Sequence, residues 1–525
     1  MRPRFRASNP LVSMSLQRIS FVREVLQGLC LVLLIVIPSV LYARTLAFDF
    51  VNWDDDLYVY ANAVIRGFSW EHFWVWMTRP FVSLYVPVTM ASYALNYSLS
   101  GLDPGSFHAW NAALHAVNTL LVFFVFYSFR RDIYVCFLAA LIFAVHPVQV
   151  EAAAWISQRK TVLMAFFSLA GFFLFIHGYF ASEKRRLLLT LACVCFVLAV
   201  LSKPTAVMIP LMLAAYHHFF KEDGGAARRF VLPYLLALPC FAAAAATLSF
   251  YPRSTDFLMS GELLTRILPL AGAMVFYTGL VINPRSLDLR YPEDLTASFA
   301  GQEWLLGLGL LVSSLVLLLL WIRRKKSGFW ACWYILFLLP AAQIVPSPAG
   351  DRHVYLALVG LLGILITVPA RFRVMLLAFL GIWAVSLIPI MSERLNVWQN
   401  SETLWKNLRY EGPFRISAEV QLAAYYEEAG RFQEASRVYQ QVLQRRPHVP
   451  YPYVNAFNMY TRLGDQQKAQ AAAVLFESNY SKTHRLQDVY RELLRLKADP
   501  AALEQFMREV MRKSLFGIPG EASRA

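Results

Sequence analysis

Long apolar runs fill most of the first 390 residues and restrict this chain more than any other feature. A membrane-spanning helix needs about 20 apolar residues, and many of these runs reach or approach that length. The composition agrees, because 58% of the residues are hydrophobic and only 16% are charged, against roughly a quarter charged in soluble domains. We therefore predict an all-α, polytopic membrane helix bundle. The candidate spans are 25–44, 110–129, 133–148, 161–180, 187–203, 204–220, 230–250, 263–282, 302–322, 329–346, 353–369 and 374–391.

Basic clusters at the ends of the runs predict their orientation, because Lys and Arg accumulate in cytoplasmic loops. Alternation works from a cytoplasmic N-terminus through the run at 230–250, but a spanning 263–282 would place Arg323–Lys326 outside. We therefore expect 263–282 to be re-entrant or interfacial, which leaves about 11 spans. An alternative is that 187–220 does not form two full spans. The odd number places the C-terminal end in the periplasm of a bacterium, outside its inner membrane.

Three loops face outward under this threading: 45–109, 146–160 and 346–353. The cytoplasmic loops are short and basic and carry no glycine-rich nucleotide motif, so no nucleotide-driven reaction is expected inside the cell. The positions of the basic clusters explain the net charge of +15, and we expect no nucleic-acid partner. All six cysteines lie within apolar runs, which predicts neither a disulfide framework nor a zinc site.

Three consecutive carboxylates, Asp54, Asp55 and Asp56, follow the first span within the first outer loop. Carboxylates that crowd at the mouth of a helix bundle repel one another, which can hold one of them as a general base or let them bind a divalent metal. The alternative is a solvated acidic loop. We predict Asp54 and Asp55 as catalytic residues and a divalent metal as a possible cofactor at Asp54–Asp56; no other cofactor is indicated.

Four polar residues occupy one stripe of the helix predicted over 110–129 and its approach: His108, Asn111, His115 and Asn118. Polar residues in a membrane helix are costly and normally face the bundle interior. Helix–helix hydrogen bonding is the alternative to function. His108 and Asn111 lie nearest the outer surface and are the predicted substrate-binding residues of the stripe.

The other outer loops also combine acids with bases. Basic residues on the outer side go against the usual bias, and a pair of cations there suits a lipid phosphate. Snorkelling to lipid head groups is the alternative for these cations, and a structural ion pair is the alternative for the Asp–Arg pair of the third loop. The predicted phosphate ligands are Arg159, Lys160, Lys203 and Arg352, and the further substrate-binding candidates are His146, Glu151 and Asp351.

The C-terminal part has normal soluble composition, so we divide the chain into 1–391 and 392–525. Residues of the same type recur there 34 positions apart, a period typical of tetratricopeptide repeats. We predict about two such repeats, which bind peptides or pack on neighbouring subunits. The repeated pairs are Pro413 and Pro447, Tyr426 and Tyr460, Gly430 and Gly464, and Ala435 and Ala469.

Taken in order, these motifs resemble the transmembrane and tetratricopeptide-repeat-containing protein O-mannosyltransferases and their bacterial relatives within the C-type glycosyltransferase fold. The resemblance implies an acidic base in an outer loop and a polyprenyl-phosphate-linked sugar donor. It assigns Asp54 and Asp55 to the family's acid pair and Arg159 to its arginine. This chain differs at Tyr85–Val88 and at Lys203-Pro204, so mannose is not implied. The motifs are Trp53-Asp54-Asp55, Phe107-His108 with Asn111, His115 and Asn118, His146-Pro147 with Glu151, Trp155 and Arg159, and Asp351-Arg352 with Tyr355.

We therefore predict a membrane glycosyltransferase that uses a polyprenyl-phosphate-linked sugar, with a protein or glycolipid as the acceptor and membrane lipid as its surroundings. A non-catalytic scaffold, in which the spans anchor a periplasmic repeat module for an envelope complex, is the first alternative. A flippase or transporter is the second, although the spans show no internal repeat of the kind found in transporters.

Overall fold

The structure, a computed structural model, describes residues 10–220, 267–292, 315–341 and 349–480, together with Phe506 and Val510. Six single positions within these ranges are left out: 83, 182, 317, 324, 413 and 448. The described residues are mainly helical, and their only β-type pairing is an isolated bridge between Phe81 and Leu84. The chain divides into two compact units, Met1–Asn400 and Ser401–Ala525.

The described part of the first unit is built from α-helices, and a longer connection with 3-10 and π turns runs from the end of the first helix to the start of the second. Its helices are α1 (Pro10–Tyr42), α2 (Trp70–Thr78), α3 (Pro87–Ser100), α4 (Pro104–Phe129), α5 (Ile133–Val145), α6 (Val150–Ala154), α7 (Arg159–Phe180), α8 (Arg185–Ser202), α9 (Ile209–Phe220), α10 (Ile267–Ile282), α11 (Lys326–Leu338), α12 (Val354–Ile366) and α13 (Arg373–Asn396).

Five helical segments among the described residues are long and apolar enough to cross a membrane, and a sixth arises if α5 and Pro147–Ala154, bent by 53°, form one span. The prediction of a helical, multi-pass membrane protein is therefore confirmed. The count of about 11 spans stays a prediction, because 230–250 and most of 302–322 lie outside the described residues. The five segments are Glu24–Ala47, Pro104–Phe129, Ile156–Phe180, Arg185–Ser202 and Ala370–Asn396.

Local sequence sets where the central helices begin. The Asp103 carboxylate accepts a hydrogen bond from the Ser106 N–H at 2.9 Å, and Pro104 fills the first position of α4, where its missing N–H costs nothing. Asp132 caps α5 in the same way through the Val135 N–H. Because both caps are acidic, they also complement the positive end of the helix dipole.

The helices of the first unit bring two groups of loops together at opposite ends of α4. With about 1.5 Å per residue, its 26 residues span roughly 39 Å, which is enough to cross the hydrocarbon of about 30 Å. We call the end near Asn111 the polar end, where Asn111 donates to the Trp155 carbonyl oxygen at 3.1 Å. We call the end near Arg130 the basic end.

The basic end gathers three of the clusters for which the sequence predicts a common side of the membrane. Arg130 donates to the carbonyl oxygens of Ile366 and Val368 at 2.9 and 2.6 Å. Arg373 forms an ion pair of 2.6 Å with Asp132. Lys325 and Lys326 line the same cavity as Arg130 and Arg131. Charges that are far apart in sequence therefore meet at one end of the bundle.

The segment predicted to be re-entrant is a helix in its described part, α10, of 16 residues. At about 1.5 Å per residue this helix is roughly 24 Å long, shorter than the hydrocarbon of a bilayer. Its last turn lies at the polar end, where the Val281 carbonyl oxygen is 3.1 Å from His146 Nε2. Residues 263–266 lie outside the described residues, and the re-entrant path stays a prediction.

The second unit contains helices that recur with the predicted period. Tyr426 and Tyr460 are both buried, and so are Ala435 and Ala469. Gly430 and Gly464 have φ of 70° and 72°, a left-handed conformation that glycine adopts without steric cost and that lets each helix pair turn. The described helices are α14 (Ser401–Lys406), α15 (Phe414–Glu428), α16 (Phe432–Arg445), α17 (Tyr451–Arg462) and α18 (Gln466–Tyr480).

Candidate active site at the polar end

The acidic run places its first two carboxylates in different surroundings. Asp55 is buried, 1% exposed, and its oxygens accept hydrogen bonds from the Val51 N–H at 3.0 Å, the Ser157 N–H at 2.9 Å and the Ser157 hydroxyl. Burial raises the pKa of Asp55 to about 7, against the lowering effect of the bonds from Ser157. Asp55 therefore joins the first outer loop to the second. The sequence around Ser157 does not predict this contact.

Asp54 is half-buried, and its carboxylate has no hydrogen bond and no ion pair within 4 Å among the described residues. Its φ of 66° lies in the left-handed region, which costs a non-glycine residue about 1–2 kcal/mol. The turn is held by the bond from the Tyr58 N–H to the Asp54 carbonyl oxygen, at 2.9 Å, and by the contacts of Asp55. Strain of this kind clusters at functional sites, and here it presents a carboxylate that can accept a proton.

Three tryptophans from separate parts of the first unit stack beside the acidic run. The ring centres of Trp53 and Trp155 are 4.7 Å apart, and those of Trp155 and Trp398 are 5.3 Å apart. The Trp155 indole donates to the Trp53 carbonyl oxygen at 2.9 Å. Trp398, which follows the last span, was not among the residues that the sequence singles out. The stack fixes the first and second outer loops against the end of α13.

Cations converge on this cluster from three elements. The Lys160 ammonium lies 4.1 Å from the centre of the Tyr58 ring and has no hydrogen bond among the described residues, while the charges of Asp54, Asp55, Glu151 and Arg352 act on it. Lys160 is thus a nearly buried ammonium, 4% exposed, without a carboxylate partner at contact distance in the described part.

Arg352 and Lys203 complete this group of cations. Arg352 donates to Glu151 Oε1 at 2.5 Å and lies 5.9 Å from the Trp155 ring centre. Lys203 Nζ donates to the Thr161 hydroxyl at 2.8 Å. Burial and the charges of Arg352 and Lys160 hold the pKa of Lys203 well below its usual value. An anion bound here would relieve the repulsion among the three cations.

Glu151 and Asp351, predicted as substrate-binding residues, hold arginines in this structure. Glu151 also accepts the Arg352 backbone N–H at 3.1 Å. Asp351 pairs with Arg394 at 2.8 Å and accepts the Tyr291 hydroxyl at 2.5 Å. Arg394, a charge in the last turn of a long apolar helix, is a signal that sequence reasoning missed. Direct substrate contact by these acids stays a prediction.

Gly350 leaves room for the Arg352 side chain. A Cβ at position 350 would lie 2.1 Å from Arg352 Nη1 and 3.3 Å from Glu151 Oε1. We expect Gly350→Ala to move the guanidinium away from Glu151 while keeping its charge, and so to lower the melting temperature. A melting curve measures this effect. The control Gly279→Ala adds a methyl where nothing lies within 4 Å, and an equal loss in both variants would contradict this role for Gly350.

Arg159, the predicted phosphate ligand, is instead enclosed by protein. Its guanidinium donates to Asn111 Oδ1 at 2.9 Å, to Asn96 Oδ1 at 2.8 Å, and to the carbonyl oxygens of Phe107 and Ser92 at 2.9 and 3.3 Å. The side chain is fully buried, 0% exposed. Contact with a phosphate stays a prediction, but this geometry favours a positioning role for Arg159, and for Asn111 with it.

The predicted histidines are also enclosed. His108 Nε2 lies 3.4 Å from the Asp49 carbonyl oxygen, and its Nδ1 has no partner among the described residues. His146 Nδ1 accepts the Val148 N–H at 3.2 Å and starts the turn before α6. Both residues are almost fully buried. Both histidines are therefore held by backbone groups of neighbouring segments.

The metal predicted at Asp54–Asp56 does not fit these contacts well. Both Asp55 oxygens already accept hydrogen bonds, and the described residues contain no group of three His, Cys, Asp or Glu side chains placed to hold a metal ion. The cofactor therefore stays a prediction that this donor set does not favour.

Fold and site define a multi-pass helical membrane protein with a cluster of acids and cations at one end of its bundle. No family model matches the chain. The chain is similar to protein O-mannosyl-transferase F38B6.6 of Caenorhabditis elegans, 32% identical over 31% of this chain and 25% of the relative. It is also similar to human protein O-mannosyl-transferase TMTC2, 34% identical over 26% and 17%, and to mouse TMTC3, 40% identical over 17% and 10%.

The resemblance inferred from the motifs is confirmed by these relatives. The chain spans a quarter or less of the length of each of the three. The activity in the names of these proteins is that of the relatives themselves, and for this chain it supports the proposal that follows.

Proposed function

We propose that the protein is a membrane glycosyltransferase that moves a sugar from a polyprenyl-phosphate carrier to an acceptor hydroxyl, on a protein serine or threonine or on a glycolipid. The observation that carries the proposal is the polar end, where the Asp54 carboxylate, without a hydrogen bond or close ion pair among the described residues, shares a cluster with Lys160, Arg352 and Lys203. A base and a set of cations are the two requirements of this transfer. The names of the similar proteins support the same reaction class.

In the proposed reaction Asp54 accepts the proton of the acceptor hydroxyl as its oxygen attacks the anomeric carbon of the sugar. The bond from that carbon to the phosphate oxygen breaks, and the electron pair and negative charge leave with the phosphate. Lys160 and Arg352 stabilise this charge, as preorganised cations do in other transfers. Asp55 positions the base, Glu151 positions the cation Arg352, and Arg159 positions the loops. No step depends on a metal.

We place this site on the periplasmic face of a bacterial inner membrane. The basic end of the bundle carries the charges that prefer the cytoplasm, and the polar end lies opposite it. Both α1 and α13 end at the polar end, where Arg44 donates to Ser392 at 2.8 Å. The last span of the first unit therefore ends at the same face as the site.

Reporter fusions test this orientation. A fusion after Lys326 should report cytoplasm, and a fusion after Ser401 should report periplasm, because these positions follow opposite ends of the bundle. Alkaline phosphatase and a fluorescent protein, each fused at both positions, give complementary signals. A cytoplasmic report at Ser401 would overturn the orientation and the assignment of the site to the outer face.

Lys160 tests the donor part of the proposal. We expect Lys160→Gln to weaken the affinity for the carrier lipid roughly 30-fold, since a charge-assisted contact is worth about 2 kcal/mol. The melting temperature should hold, because the ammonium has no hydrogen bond to lose among the described residues. Initial rates against carrier concentration measure the effect. Lys184→Gln, an exposed lysine before α8, is the control; equal losses in both variants would place the phosphate elsewhere.

We further propose that the second unit is a tetratricopeptide-repeat domain that binds a protein partner. Two helix pairs with equivalent tyrosine, glycine and alanine positions support this assignment. Such repeats stack and offer a surface to peptides or neighbouring subunits.

Mass spectrometry of envelope proteins and glycolipids, with and without the gene, tests the function. Wild-type protein should restore a hexose or other sugar on an acceptor that the deletion strain lacks, and Asp54→Asn should not. If Asp54→Asn restores the same product, the transferase assignment to this site is wrong. If neither strain differs in any glycan, the non-catalytic scaffold is the better explanation.

A further inference from the structure

The basic end contains a cavity that the proposed transfer does not use. Its volume is about 530 Å³, and it lies between the end of α4, the start of α11 and the turn after α12. Pockets of this size accommodate small-molecule ligands and lipid head groups. Four basic residues and one acidic residue line it: Arg130, Arg131, Lys325, Lys326 and Asp132.

The basic charges of this lining exceed the acidic charges near them in the part of the chain that the structure describes. Asp132 is already paired with Arg373 at 2.6 Å and lies 3.8 Å from Arg130. Arg131, Lys325 and Lys326 have no carboxylate within 4 Å among the described residues, and Arg131 lies over the Tyr127 ring at 4.9 Å. Three positive charges therefore surround the cavity without a counterion from the described protein.

Trp330 forms part of the cavity wall and is itself closely packed. It is 0% exposed, and a Cβ on Gly363 would lie 2.2 Å from its ring. This packing fixes the wall of the cavity. A ligand with anionic oxygens would compensate the cations that line the rest of it.

We propose that this cavity binds the phosphate head group of an anionic membrane phospholipid. The cavity lies where α4 leaves the membrane, so a lipid phosphate reaches it while the acyl chains remain beside the apolar helix surfaces. Basic pockets between spanning helices are suited to such head groups. The bound lipid would hold α4, α11 and the α12–α13 turn together at the end opposite the transfer site.

Native mass spectrometry of the purified full-length protein tests the proposal, with cardiolipin, phosphatidylglycerol or phosphatidylethanolamine added at equal concentration. One anionic lipid should be retained, and phosphatidylethanolamine should not. Arg131→Gln with Lys326→Gln should lower the retained fraction at least tenfold. The matched control, Lys184→Gln with Arg186→Gln, removes two exposed charges that do not line the cavity and should retain the lipid.

A second variant separates occupancy from charge. Ala370→Trp fills the cavity while every cation remains, and it should also release the lipid; Thr367→Phe replaces it if the tryptophan variant is not monodisperse. Equal retention of phosphatidylethanolamine, or equal loss in the control pair, would mean that these charges serve only membrane orientation. Inorganic pyrophosphate that binds as tightly as the lipid would overturn the lipid assignment. None of these readouts depends on sugar transfer.

Discussion

Asp54→Asn is expected to abolish sugar transfer while the protein remains folded and inserted. The amide keeps the size of the side chain but cannot take the proton of the acceptor hydroxyl, and loss of a general base costs about 100- to 10,000-fold in rate. The melting temperature should not fall, because the Asp54 carboxylate makes no hydrogen bond or close ion pair among the described residues. Transfer to a purified acceptor, followed by mass spectrometry, measures the rate.

Asp55→Asn is the matched comparison, one residue further along the same loop. Here the amide loses one of the two acceptor oxygens that hold Val51 and Ser157, so we expect a lower melting temperature together with partial loss of transfer. A large rate defect with unchanged stability in Asp55→Asn, and a near-normal rate in Asp54→Asn, would exchange the two roles. Near-normal product from both variants would remove the base from this loop.

The helical, membrane-spanning character of the first unit could be predicted from the sequence because it follows from composition alone. The meeting of Arg130, Arg373 and Lys326 at one end also follows from the rule that orients basic loops. The span count could not be fixed, since runs such as 204–220 divide into a short turn and a helix of 12 residues, Ile209–Phe220. Length and hydropathy do not distinguish such a segment from a straight span.

The candidate site could be predicted only in part. The sequence identifies polar residues next to spans, and Asp54, Lys160, Lys203 and Arg352 do converge at the polar end. The sequence does not show which polar residue faces an open site and which has its hydrogen bonds made within the protein, because that depends on partners distant in sequence. Such partners are Ser157, which binds Asp55, and Arg394, which binds Asp351. Neither Ser157 nor Arg394 lies in a recognisable motif.

Arg159 is the clearest example of a role that the sequence alone does not determine. Its sequence context predicts a phosphate ligand, whereas its contacts indicate that it holds several helices together. Four oxygens surround the guanidinium, supplied by Asn111, Asn96, Phe107 and Ser92. The Tyr93 ring centre lies 4.6 Å from it. These contacts join α3, α4 and α7 through one side chain, which favours a role of Arg159 in the fold.

We therefore expect Arg159→Lys to destabilise the protein strongly although it keeps the charge. A lysine has three donors on one nitrogen and cannot reach oxygens arranged around a planar fork. Removing a partner from a buried charged network costs about 3–5 kcal/mol, so the melting temperature in detergent should fall by several degrees and the folded yield should drop. Size-exclusion chromatography after heating, detected by fluorescence, measures both.

Lys160→Gln separates this role from phosphate binding, because it changes the neighbouring cation without touching the oxygens around Arg159. The two variants should behave oppositely: Arg159→Lys should lose stability, with normal carrier dependence in the surviving folded fraction, and Lys160→Gln should lose carrier affinity with normal stability. If Arg159→Lys instead melts like the wild type and requires more carrier lipid, Arg159 contacts the phosphate directly. The residues whose oxygens enclose the guanidinium here would then have to move apart when the donor binds.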